Sequence, residues 1–549
     1  MNPTSLILGL ALIGNAQVPP DAAAAARSIT AEQIRAHVKF LSSDLLEGRG
    51  PCTRGDQLAE SYVATELEAM GLAPGAPGGG WIQKVPLVAI APTIPGTMTF
   101  TKGEKKLDLK YRDDFVAVPG TQQPTSGVKS AEVVFVGYGI VAPEYQWNDF
   151  KDVDVRGKVL LVMNNDPESD PNLFAGKTRL WYGRWDYKYL EAAKHGAAGA
   201  IIIHTTTSAS YPWSVVRTSW SGEFYELPDE GTPRTQLKAW ATDDASHQLA
   251  ALGGQDLDKL RAAAESRDFR PVPLGVTLSF TTTSHVQRKE SGNVIGEIRG
   301  SDPKLSKEVV IYTAHHDHLG VKVGAAPGVD AIFNGAVDNA SGVATLLAIA
   351  RAYTRLPQAP RRTVMFASVA AEEQGLLGSE YLAKHPPVPA GFIAANINMD
   401  SVNIWGKTSD VPFIGLGKSE LDAVVAEMAA AQGRKVVPDA FPDRGAFYRS
   451  DQFNFARIGV PAVKLGSGIE VIGKPPRWGA EQQERYERTD YHQPSDEYRD
   501  TWDLAGAVED AQLEFLIGVK VGNTDAMPRW RAGDEFEAAR TAALKGRSP

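Results

Sequence analysis

The sequence predicts an α/β protein whose main sheet is mostly parallel and is covered by helices on both faces. From about residue 292, short apolar segments alternate with longer segments of helical periodicity. This alternation is typical of parallel strands joined by helices. Polar and ionisable residues follow several of the apolar segments, at the sheet edge where such folds bind ligands. The predicted strands are NVIGEI, VVIYTA, TVMFASVA, AANINMD and PAVKL, and the predicted helices are GVATLLAIARAYTRL, LLGSEYLA and ELDAVVAEMAAAQG.

The chain begins with a segment that resembles a secretory signal. Ser5 to Ile13 is a short apolar run, and small residues including Gly14 and Ala16 follow it. This pattern predicts a signal peptide over residues 1–16 and a secreted or periplasmic protein. No Lys or Arg precedes the run, so a buried N-terminal segment is the alternative. The run is shorter than the about 20 residues that span a bilayer, and we expect no stable membrane insertion.

Three further segments flank the α/β region. Residues 27–127 are predicted to form N-terminal helices and a lead-in, because HVKFLSSDLLEGRG and DQLAESYVATELEAMGL carry apolar residues at helical spacing. Residues 128–285 are predicted to form a β-rich unit with the strand-like runs AEVVFVGYGI and KVLLVMN. The α/β region covers residues 286–525, and residues 526–549 form a polar tail that we expect to be loosely attached.

The composition limits the classes of function and of site. At 549 residues the chain is expected to form roughly two to four domains of about 150 residues each. Its net charge is −9 and its basic residues form no cluster, which argues against nucleic acid as a partner. Its single cysteine, Cys52, excludes an internal disulfide and a zinc site built from thiolates. Any metal must therefore be held by His, Asp and Glu side chains.

Five segments are rich in ionisable residues, and four of them lie where a predicted strand ends or a helix begins. They are TAHHDHLG, VDNASG, AAEEQG, NINMDS and, in the last part of the chain, YHQPSDEY. Taken singly, each has an ordinary interpretation as a helix cap, a solvated face, a turn or a surface histidine. Together they would gather imidazoles and carboxylates at one sheet edge, which is costly unless a cation compensates the charge. His and carboxylate ligands favour zinc, although other divalent ions bind similar ligands.

The inventory of side chains suits two cations about 3.5–4 Å apart that are bridged by a carboxylate. Such a site needs a bridging Asp, one His and one carboxylate for each ion, and a free carboxylate as a base. The segments supply two histidines, Asp338, Glu373, Asp400 and one spare glutamate. Neighbouring glutamates in an extended backbone point to different sides, so that one can bind metal while the other contacts water.

The same alternation of side chains along an extended backbone divides the histidines of TAHHDHLG between its two sides. His315 and Asp317 lie on one side of an extended backbone, and His316 and His318 lie on the other. A ligand histidine usually donates its second nitrogen to a carboxylate, and Asp317 could serve His315 in this way. We then expect His316 and His318 to have packing or substrate roles.

The five segments resemble the motifs of the co-catalytic di-zinc aminopeptidase family. This family also contains glutamate carboxypeptidase, glutaminyl cyclase and the catalytically inactive transferrin receptor. The motifs follow one another in the family's order across about 180 residues. They are His315-His316-Asp317, Asp338-Asn339-Ala340-Ser341-Gly342, Glu372-Glu373, Asp400, and His492 with Asp496.

The resemblance implies two zinc ions and a role for each matching residue. The implied ligands are His315 and Asp400 for one ion, Glu373 and His492 for the other, and Asp338 as the bridge. The implied catalytic residues are Glu372 as general base, Asp317 as the group that orients His315, and Tyr491 as a stabiliser of the oxyanion.

Two other regions bear on the resemblance. Many relatives carry S-D-H where this chain has Ser450-Asp451-Gln452, and the missing histidine favours the peptidase ligand set over that of the cyclases. Residues 128–285, with GYGIVAPEYQWNDFKDVDVRGKVLLVMN and EAAKHGAAGAIIIHT, resemble a protease-associated domain. In this family that module is often inserted as a lid or substrate guide.

These observations predict a metallopeptidase that acts on peptides. The expected activity is that of an aminopeptidase, with a water held between the zinc ions and Glu372 as its base. Two alternatives stay open: a carboxypeptidase, dipeptidase or other amidohydrolase on the same scaffold, and a non-catalytic binding protein of the transferrin-receptor type. Arg444, Arg449 and Lys464 are candidates for an acidic side-chain pocket, and Asp451 is the candidate for holding a substrate amino group.

Overall fold

The strands predicted from residue 292 onward form the centre of a large mixed sheet. The computed structural model describes residues 18–322 and 324–547. The predicted signal peptide over residues 1–16 lies outside the described residues. The first predicted strand, NVIGEI, belongs to a sheet of 17 strands among the described residues. This sheet extends through the two units of the molecule, the α/β unit and the β-rich unit.

Helices and strands are numbered separately along the chain. The helices are α1 (Pro20–Ala26), α2 (Ala31–Leu41), α3 (Arg54–Ala69), α4 (Trp185–Lys194), α5 (Thr206–Ala209), α6 (Trp213–Ser219), α7 (Asp243–Leu252), α8 (Leu257–Ala264), α9 (Ser341–Tyr353), α10 (Leu377–Lys384), α11 (Leu421–Ala431), α12 (Gln452–Arg457), α13 (Trp478–Thr489), α14 (Ala505–Asn523) and α15 (Glu537–Lys545). The strands are β1 (Ala73–Pro74), β2 (Ile82–Thr93), β3 (Thr97–Lys102), β4 (Lys105–Lys110), β5 (Phe115–Pro119), β6 (Thr125–Phe135), β7 (Val141–Ala142), β8 (Trp147–Asn148), β9 (Val159–Met163), β10 (Gly199–His204), β11 (Phe224–Glu226), β12 (Leu237–Thr242), β13 (Val272–Ile298), β14 (Val309–His315), β15 (Gly320–Val321), β16 (Ile332–Phe333), β17 (Thr363–Val369), β18 (Ile393–Asn398), β19 (Asp410–Ile414), β20 (Lys435–Val437) and β21 (Ala462–Leu465).

Four strands form a parallel centre in the spatial order β17, β14, β18 and β21. β13 pairs antiparallel with β17 on one side, and β19 pairs antiparallel with β21 on the other. β14, β17 and β18 are buried along their whole length, as expected for strands covered on both faces. Helices α9 and α14 contribute to the core on one face, and α10 and α12 contribute to the core on the other. The predicted α/β architecture with flanking helices is thus present.

The β-rich unit has its own core, and this core corrects the predicted boundary at residue 128. Its buried side chains extend from Met98 to Phe280 and include those of β3, β4 and β5. The sequence predicts that these strands belong to the lead-in over residues 27–127. In the structure, β3 instead pairs with the first half of β13, as does β6 of the β-rich unit. The boundary at residue 285 also falls inside β13, whose second half pairs with β2 and β17. One long strand therefore connects the two units.

The N-terminal helices and the C-terminal segment both pack on the α/β unit. α2 and α3 contact α9, and their apolar side chains join its core. The expectation of a loosely attached tail is wrong, because Trp530 donates to the carbonyl of Gly459 (2.9 Å) and buried Arg540 donates to the carbonyl of Ile393 (2.9 Å). Within the described ranges, no helix combines the length and the apolar character that crossing a membrane requires.

Candidate metal centre

The predicted ligands come together at the carboxyl edge of the parallel strands. His315 is the last residue of β14, Glu373 lies in the loop after β17, and Asp400 follows β18. Asp338 lies just before α9, and His492 lies in the loop after α13. Parallel strands present their carboxyl ends at the same edge, so residues distant in the sequence meet there.

Asp338 occupies the centre of this group, and its two carboxylate oxygens lie next to different histidines. Oδ1 lies 3.2 Å from Nε2 of His315, and Oδ2 lies 3.3 Å from Nε2 of His492. The same nitrogen of His315 lies 3.7 Å from Oδ1 of Asp400. Nε2 of His492 lies 3.1 Å from Oε2 of Glu373. The five side chains therefore form two groups of three that share Asp338.

These separations fit ligand atoms that share a cation. Zinc binds nitrogen at about 2.0–2.1 Å and oxygen at about 2.0–2.2 Å, so two ligand atoms of a tetrahedral site lie roughly 3.3 Å apart. The buried Nε2 atom of His315 also lacks a hydrogen-bond partner within the part of the chain that the structure describes. A buried nitrogen normally has a partner, and a cation would supply one. The residues present thus fit a pair of divalent ions.

Neighbouring imidazoles keep the ligand carboxylates ionised. Burial alone would raise the pKa of Asp338, but the adjacent imidazoles of His315 and His492 bring the pKa well below the usual value. Burial likewise opposes ionisation of Glu373, yet the positive charges of His492 and His318 lower its pKa to about 2. Ionised carboxylates are the form that binds a metal.

Glu372 differs from its neighbour Glu373 because it has no close imidazole partner. Its Oε2 atom lies 3.9 Å from Nε2 of His315, which is beyond hydrogen-bond distance. Burial raises the pKa of Glu372 well above its usual value, and the negative charges of Glu373 and Asp400 raise it further against the opposing effect of His315. A carboxylate with a raised pKa at the edge of a metal site is suited to accept and return a proton.

Asp317 holds the two glutamates in place. Its fully buried carboxylate accepts hydrogen bonds from the backbone N–H groups of Glu372 (2.9 Å) and Glu373 (3.2 Å). Its Oδ1 atom lies 3.7 Å from Nδ1 of His315, and its backbone carbonyl lies closer, at 3.3 Å. Asp317 thus contacts the predicted partner His315, and it also fixes the backbone that carries the predicted base.

Asp400 is oriented by a hydroxyl and an ammonium group. Its Oδ2 atom accepts hydrogen bonds from Oγ of Ser450 (2.5 Å) and from Nζ of Lys464 (2.6 Å). Its other oxygen, Oδ1, is the one near His315. Burial would raise the pKa of Asp400, but Lys464 and His315 lower it below the usual value. Lys464, a candidate for an acidic side-chain pocket, is therefore engaged by a candidate ligand instead.

His318 is part of the centre, and the expectation that it lies on the opposite side from His315 is wrong. Its Nδ1 atom lies 2.6 Å from Oε1 of Glu373, and its ring nitrogens lie close enough to Asp338 and Glu373 to form a possible ligand group. The reason is that β14 ends at His315, so the side-chain alternation of an extended strand does not continue beyond it. His316 does point away, with Nε2 3.3 Å from Oδ1 of Asp56.

Arg49 supports the centre, although the sequence does not predict this role. Its guanidinium is 1% exposed and donates to the carbonyls of His316 (2.7 Å), Asn334 (2.7 Å) and Gly335 (2.9 Å). It thereby ties the loop after β14 to the loop that carries Asp338. The only signal in the sequence is the motif EGRG, in which an arginine lies between two glycines.

The segment around His492 contributes two further residues. The ring of Tyr491 stacks on that of His492 with centroids 3.9 Å apart, and burial raises the pKa of Tyr491 to about 12. The carboxylate of Asp496, the last member of the late motif, accepts from the N–H groups of Val337 (3.1 Å) and Asp338 (3.1 Å). Asp496 therefore connects the loop of His492 to the shared carboxylate.

The remaining candidates occupy different environments. Gln452 is buried, and its amide donates to the carbonyl of Phe447 (2.7 Å) and accepts from Asn398 (2.9 Å). Asp451 is completely buried, so it does not form a surface for a substrate amino group. Arg444 forms an ion pair with Glu487. Arg449, in contrast, forms no ion pair with any described residue.

Comparisons with known proteins agree with this geometry. Residues 293–516 match peptidase family M28. A glutamate carboxypeptidase 2 homolog of Caenorhabditis elegans is 25% identical over 407 residues, which are 62% of this chain and 46% of that protein. A probable leucine aminopeptidase 2 of Aspergillus fumigatus is 25% identical over 388 residues, which are 69% of this chain and 63% of that protein. The chain thus spans about half the length of the first relative and less than two thirds of the second.

One solved structure shares the fold. It is an aminopeptidase from Aneurinibacillus sp. strain AM-1, which superimposes with a TM-score of 0.51 at 20% sequence identity. The alignment covers 92% of this chain and 97% of that one. Both the α/β unit and the β-rich unit therefore lie within the shared region.

Proposed function

We propose, on the premise that residues 293–516 belong to peptidase family M28, that this chain is a metal-dependent aminopeptidase. The observation that carries the proposal is the position of Asp338 between two imidazoles, with Oδ1 3.2 Å from His315 and Oδ2 3.3 Å from His492. A carboxylate that serves two histidines from its two oxygens is the arrangement that a bridged pair of cations requires. The name of one similar protein, a probable leucine aminopeptidase 2, agrees with this activity, and the name of another, a glutamate carboxypeptidase 2 homolog, agrees with the carboxypeptidase alternative below.

The centre offers ligands for two ions. His315 and Asp400 would hold one ion, Glu373 and His492 the other, and Asp338 both. Imidazole with carboxylate favours zinc, and cobalt or manganese are alternatives. When bound, such ions polarise the carbonyl of a peptide bond and make a coordinated water more acidic.

The chain's own side chains would then manage the proton. Glu372 accepts it from the attacking water and returns it to the departing amine, since its raised pKa allows both steps. Asp317 holds Glu372 through its backbone N–H at 2.9 Å. Tyr491, which stacks on His492, is the candidate donor to the oxyanion.

The β-rich unit is proposed to be a protease-associated domain that borders the cleft. Two contacts support this, because both join the β-rich unit to residues 442–453, the segment whose Ser450 donates to Asp400. The N–H of Arg179 donates to the carbonyl of Pro442 (3.0 Å), and the ring of Trp181 lies 4.8 Å from that of Phe453. Export through the predicted signal peptide belongs to the same proposal.

Two alternatives differ from this proposal in substrate or in chemistry. A carboxypeptidase, dipeptidase or other amidohydrolase would use the same ions and the same base. A non-catalytic binding protein would be expected to have lost ligands, yet all five candidate ligands and Glu372 are present. The presence of a complete set favours an enzyme.

A substrate panel tests the proposal directly. Aminoacyl peptides with a free amino terminus and the same peptides with an acetylated terminus would be incubated with the protein, with and without a chelator. Cleavage of the free-amino peptides alone, abolished by the chelator and restored by zinc, is the expected result. Cleavage of both sets would indicate another amidohydrolase, and no cleavage of any peptide would contradict the peptidase assignment.

A further inference from the structure

A second cluster of imidazole and carboxylate groups lies behind the candidate metal centre. It consists of Asp56 and Glu60, both on α3, and of His316, which directly follows the last residue of β14. One nitrogen or oxygen atom from each of the three side chains lies within 4.8 Å of the other two. His316 is next to His315 in the chain, but its ring points away from the centre and towards α3. The cluster is therefore separate from the ligands described above.

The imidazole of His316 is completely buried, and one of its two nitrogens has no hydrogen-bond partner in the described part of the chain. Nδ1 lies 3.0 Å from Oγ of Ser368 on β17, whereas Nε2 is the atom without a partner. Among the described residues, the buried imidazole nitrogens that lack a partner are those of His315, His316 and His318. Two of these three histidines belong to the candidate metal centre. His316 thus shares with them a property that a bound cation would explain.

The carboxylate of Asp56 faces this nitrogen with an oxygen that is also without a partner among residues 18–322 and 324–547. Asp56 is completely buried, and its Oδ2 atom accepts from the N–H of Cys52 (2.7 Å) and from Oγ of Ser291 (2.7 Å). Its Oδ1 atom accepts no hydrogen bond there and lies 3.3 Å from Nε2 of His316. Two ligand atoms of one tetrahedral zinc site lie roughly 3.3 Å apart. The separation therefore fits two atoms that share an ion.

Glu60 brings a second carboxylate to the cluster. It lies one helical turn after Asp56, so both side chains project from the same face of α3. Its Oε1 atom lies 3.3 Å from Oγ of Ser291 on β13. The next residue of that strand is Gly292, where an added Cβ atom would lie 3.1 Å from Oε2 of Glu60. The absence of a side chain at Gly292 thus gives the carboxylate room beside β13.

The two carboxylates carry more negative charge than the neighbouring side chains compensate. Within the described ranges, neither Asp56 nor Glu60 forms an ion pair with a lysine or an arginine. Lys289, on the same strand as Ser291, pairs with Glu223 instead (3.3 Å). A single imidazole supplies at most one positive charge for two carboxylates. Buried charges are normally paired or bind a metal, and a divalent cation would compensate both.

We propose that Asp56, Glu60 and His316 hold a further divalent transition-metal ion, in addition to the two ions of the candidate metal centre. One imidazole with two carboxylates favours zinc, whereas calcium and magnesium prefer oxygen ligands alone. The inference does not depend on the proposed peptidase function. Each zinc content expected from the centre alone then rises by one equivalent.

The position of this ion indicates a structural role. The ion would join the first turns of α3 to the end of β14, and so support the backbone that carries His315. Because Asp56 and His316 are completely buried, a substrate peptide does not reach their side chains. A site enclosed in this way is typical of structural rather than catalytic zinc. Glu60 is only partly buried, so the ion can enter from its side.

Metal analysis of two variants tests the site. The full-length protein and its variants would be dialysed against a zinc buffer with a low free concentration of the ion, and their zinc contents compared. Asp56→Asn and Glu60→Ala should each hold one zinc equivalent fewer than the unaltered protein. Asp56→Asn keeps an oxygen that can accept from Cys52 and Ser291, but it loses the charge that attracts the ion. The control Glu68→Ala removes an exposed carboxylate of the same helix and should keep the full content.

A double variant separates this ion from those of the candidate centre. Glu60→Ala combined with His492→Ala should hold one equivalent fewer than His492→Ala alone, because the two substitutions remove ligands of different ions. Equal zinc contents in the double variant and in His492→Ala would place both losses at one site and overturn the inference.

The single variants can also overturn the inference. Full zinc content in Glu60→Ala would do so, whatever the result for Asp56→Asn, and would leave His316 and Asp56 as a pair without a metal. An equal loss in Glu68→Ala would overturn it too, since the lost ion would not belong to the cluster. Failure to cleave peptides would contradict the proposed function without changing the comparison of zinc contents. Because Glu60 is only partly buried, the test does not depend on whether Asp56→Asn folds.

Discussion

Nδ1 of His318 lies 2.6 Å from Oε1 of Glu373, whereas Nε2 of His492 lies 3.1 Å from the other oxygen, Oε2. One carboxylate thus has a histidine at each oxygen. The shorter separation is that of a hydrogen bond, and the longer one fits two atoms that bind the same ion. His318 is therefore better suited to orient Glu373 than to bind the metal, and His492 is better suited to be the ligand.

Metal analysis of two variants tests this division. His492→Ala should lose one of two zinc equivalents after dialysis, because one ion then keeps only Glu373 and Asp338. His318→Ala should retain both equivalents and bind the more weakly held ion about 10–100-fold less tightly, as expected for loss of a group that orients a ligand. The reverse pattern, with loss of an equivalent in His318→Ala alone, would exchange the two roles.

Glu372→Gln should separate metal binding from catalysis. The amide is nearly the same size as the carboxylate but does not accept a proton from water, so turnover should fall about a thousandfold or more. The zinc content should stay unchanged, because Glu372 is not among the predicted ligands. Near-normal turnover in a fully loaded variant would show that another group is the base.

The sequence could place His315, Asp338, Glu373 and Asp400 at one sheet edge because each lies near a strand end or a helix start, whereas His492 and the role of each ligand came from the resemblance to the family motifs. The positions of Asp338, Asp400 and His315 at this edge follow from the order of the elements and the geometry of a parallel sheet. His318 could not be assigned in the same way, since its direction depends on where β14 stops. Arg49 could not be found either, because its role is to join two loops far apart in the sequence.

The division into units was predicted less well for a similar reason. The lead-in predicted over residues 27–127 includes β3, β4 and β5, but its local pattern does not contain the strands with which β3 and β5 pair in the β-rich unit. β3 pairs with β13 and β5 with β12, and the 27 residues of β13 pair with strands of both units. A domain boundary predicted from local composition therefore falls inside a strand whose full length is seen only in the folded molecule.

Arg49→Lys should destabilise the loops around the centre. A lysine ammonium lacks the flat fork that reaches His316, Asn334 and Gly335 together, so buried carbonyls lose their donors. We expect a loss of about 3 kcal/mol or more, in the range measured when a buried charged group loses its partners. Thermal melting measures the effect, and Arg54→Lys on the exposed start of α3 serves as the control. An equal melting temperature in both variants would contradict the role given to Arg49.

Removal of metal should also lower the melting temperature of the unaltered protein. Without cations, the carboxylates of Asp338, Glu373 and Asp400 share a buried pocket with Glu372 and repel one another. Ions bound only by the folded state stabilise it by mass action, so a chelator should lower the midpoint and added zinc should restore it. A midpoint that does not respond to the chelator would argue against bound ions. The variant His492→Ala should show a smaller response.

A carboxylate outside the centre gives a separate test of the structure through pH. Glu226 of β11 accepts from Nη1 of Arg234 (2.6 Å) and from Nζ of Lys238 (2.9 Å), and its side chain is 16% exposed. Burial alone would raise the pKa of Glu226, but Lys238 and Arg234 outweigh it and lower the pKa to about 2.

The sign of the pH effect follows from this shift. Because the pKa in the folded protein is lower than the ordinary value, the carboxylate stabilises the fold above about pH 4.5 by about 3 kcal/mol, and this contribution is lost as the pH falls towards 2. Glu226→Gln should therefore melt at a lower temperature at pH 7, and the difference from the unaltered protein should shrink between pH 5 and pH 3. Glu104→Gln in an exposed turn is the control. A difference that stays constant with pH would show that ionisation of Glu226 does not stabilise the β-rich unit.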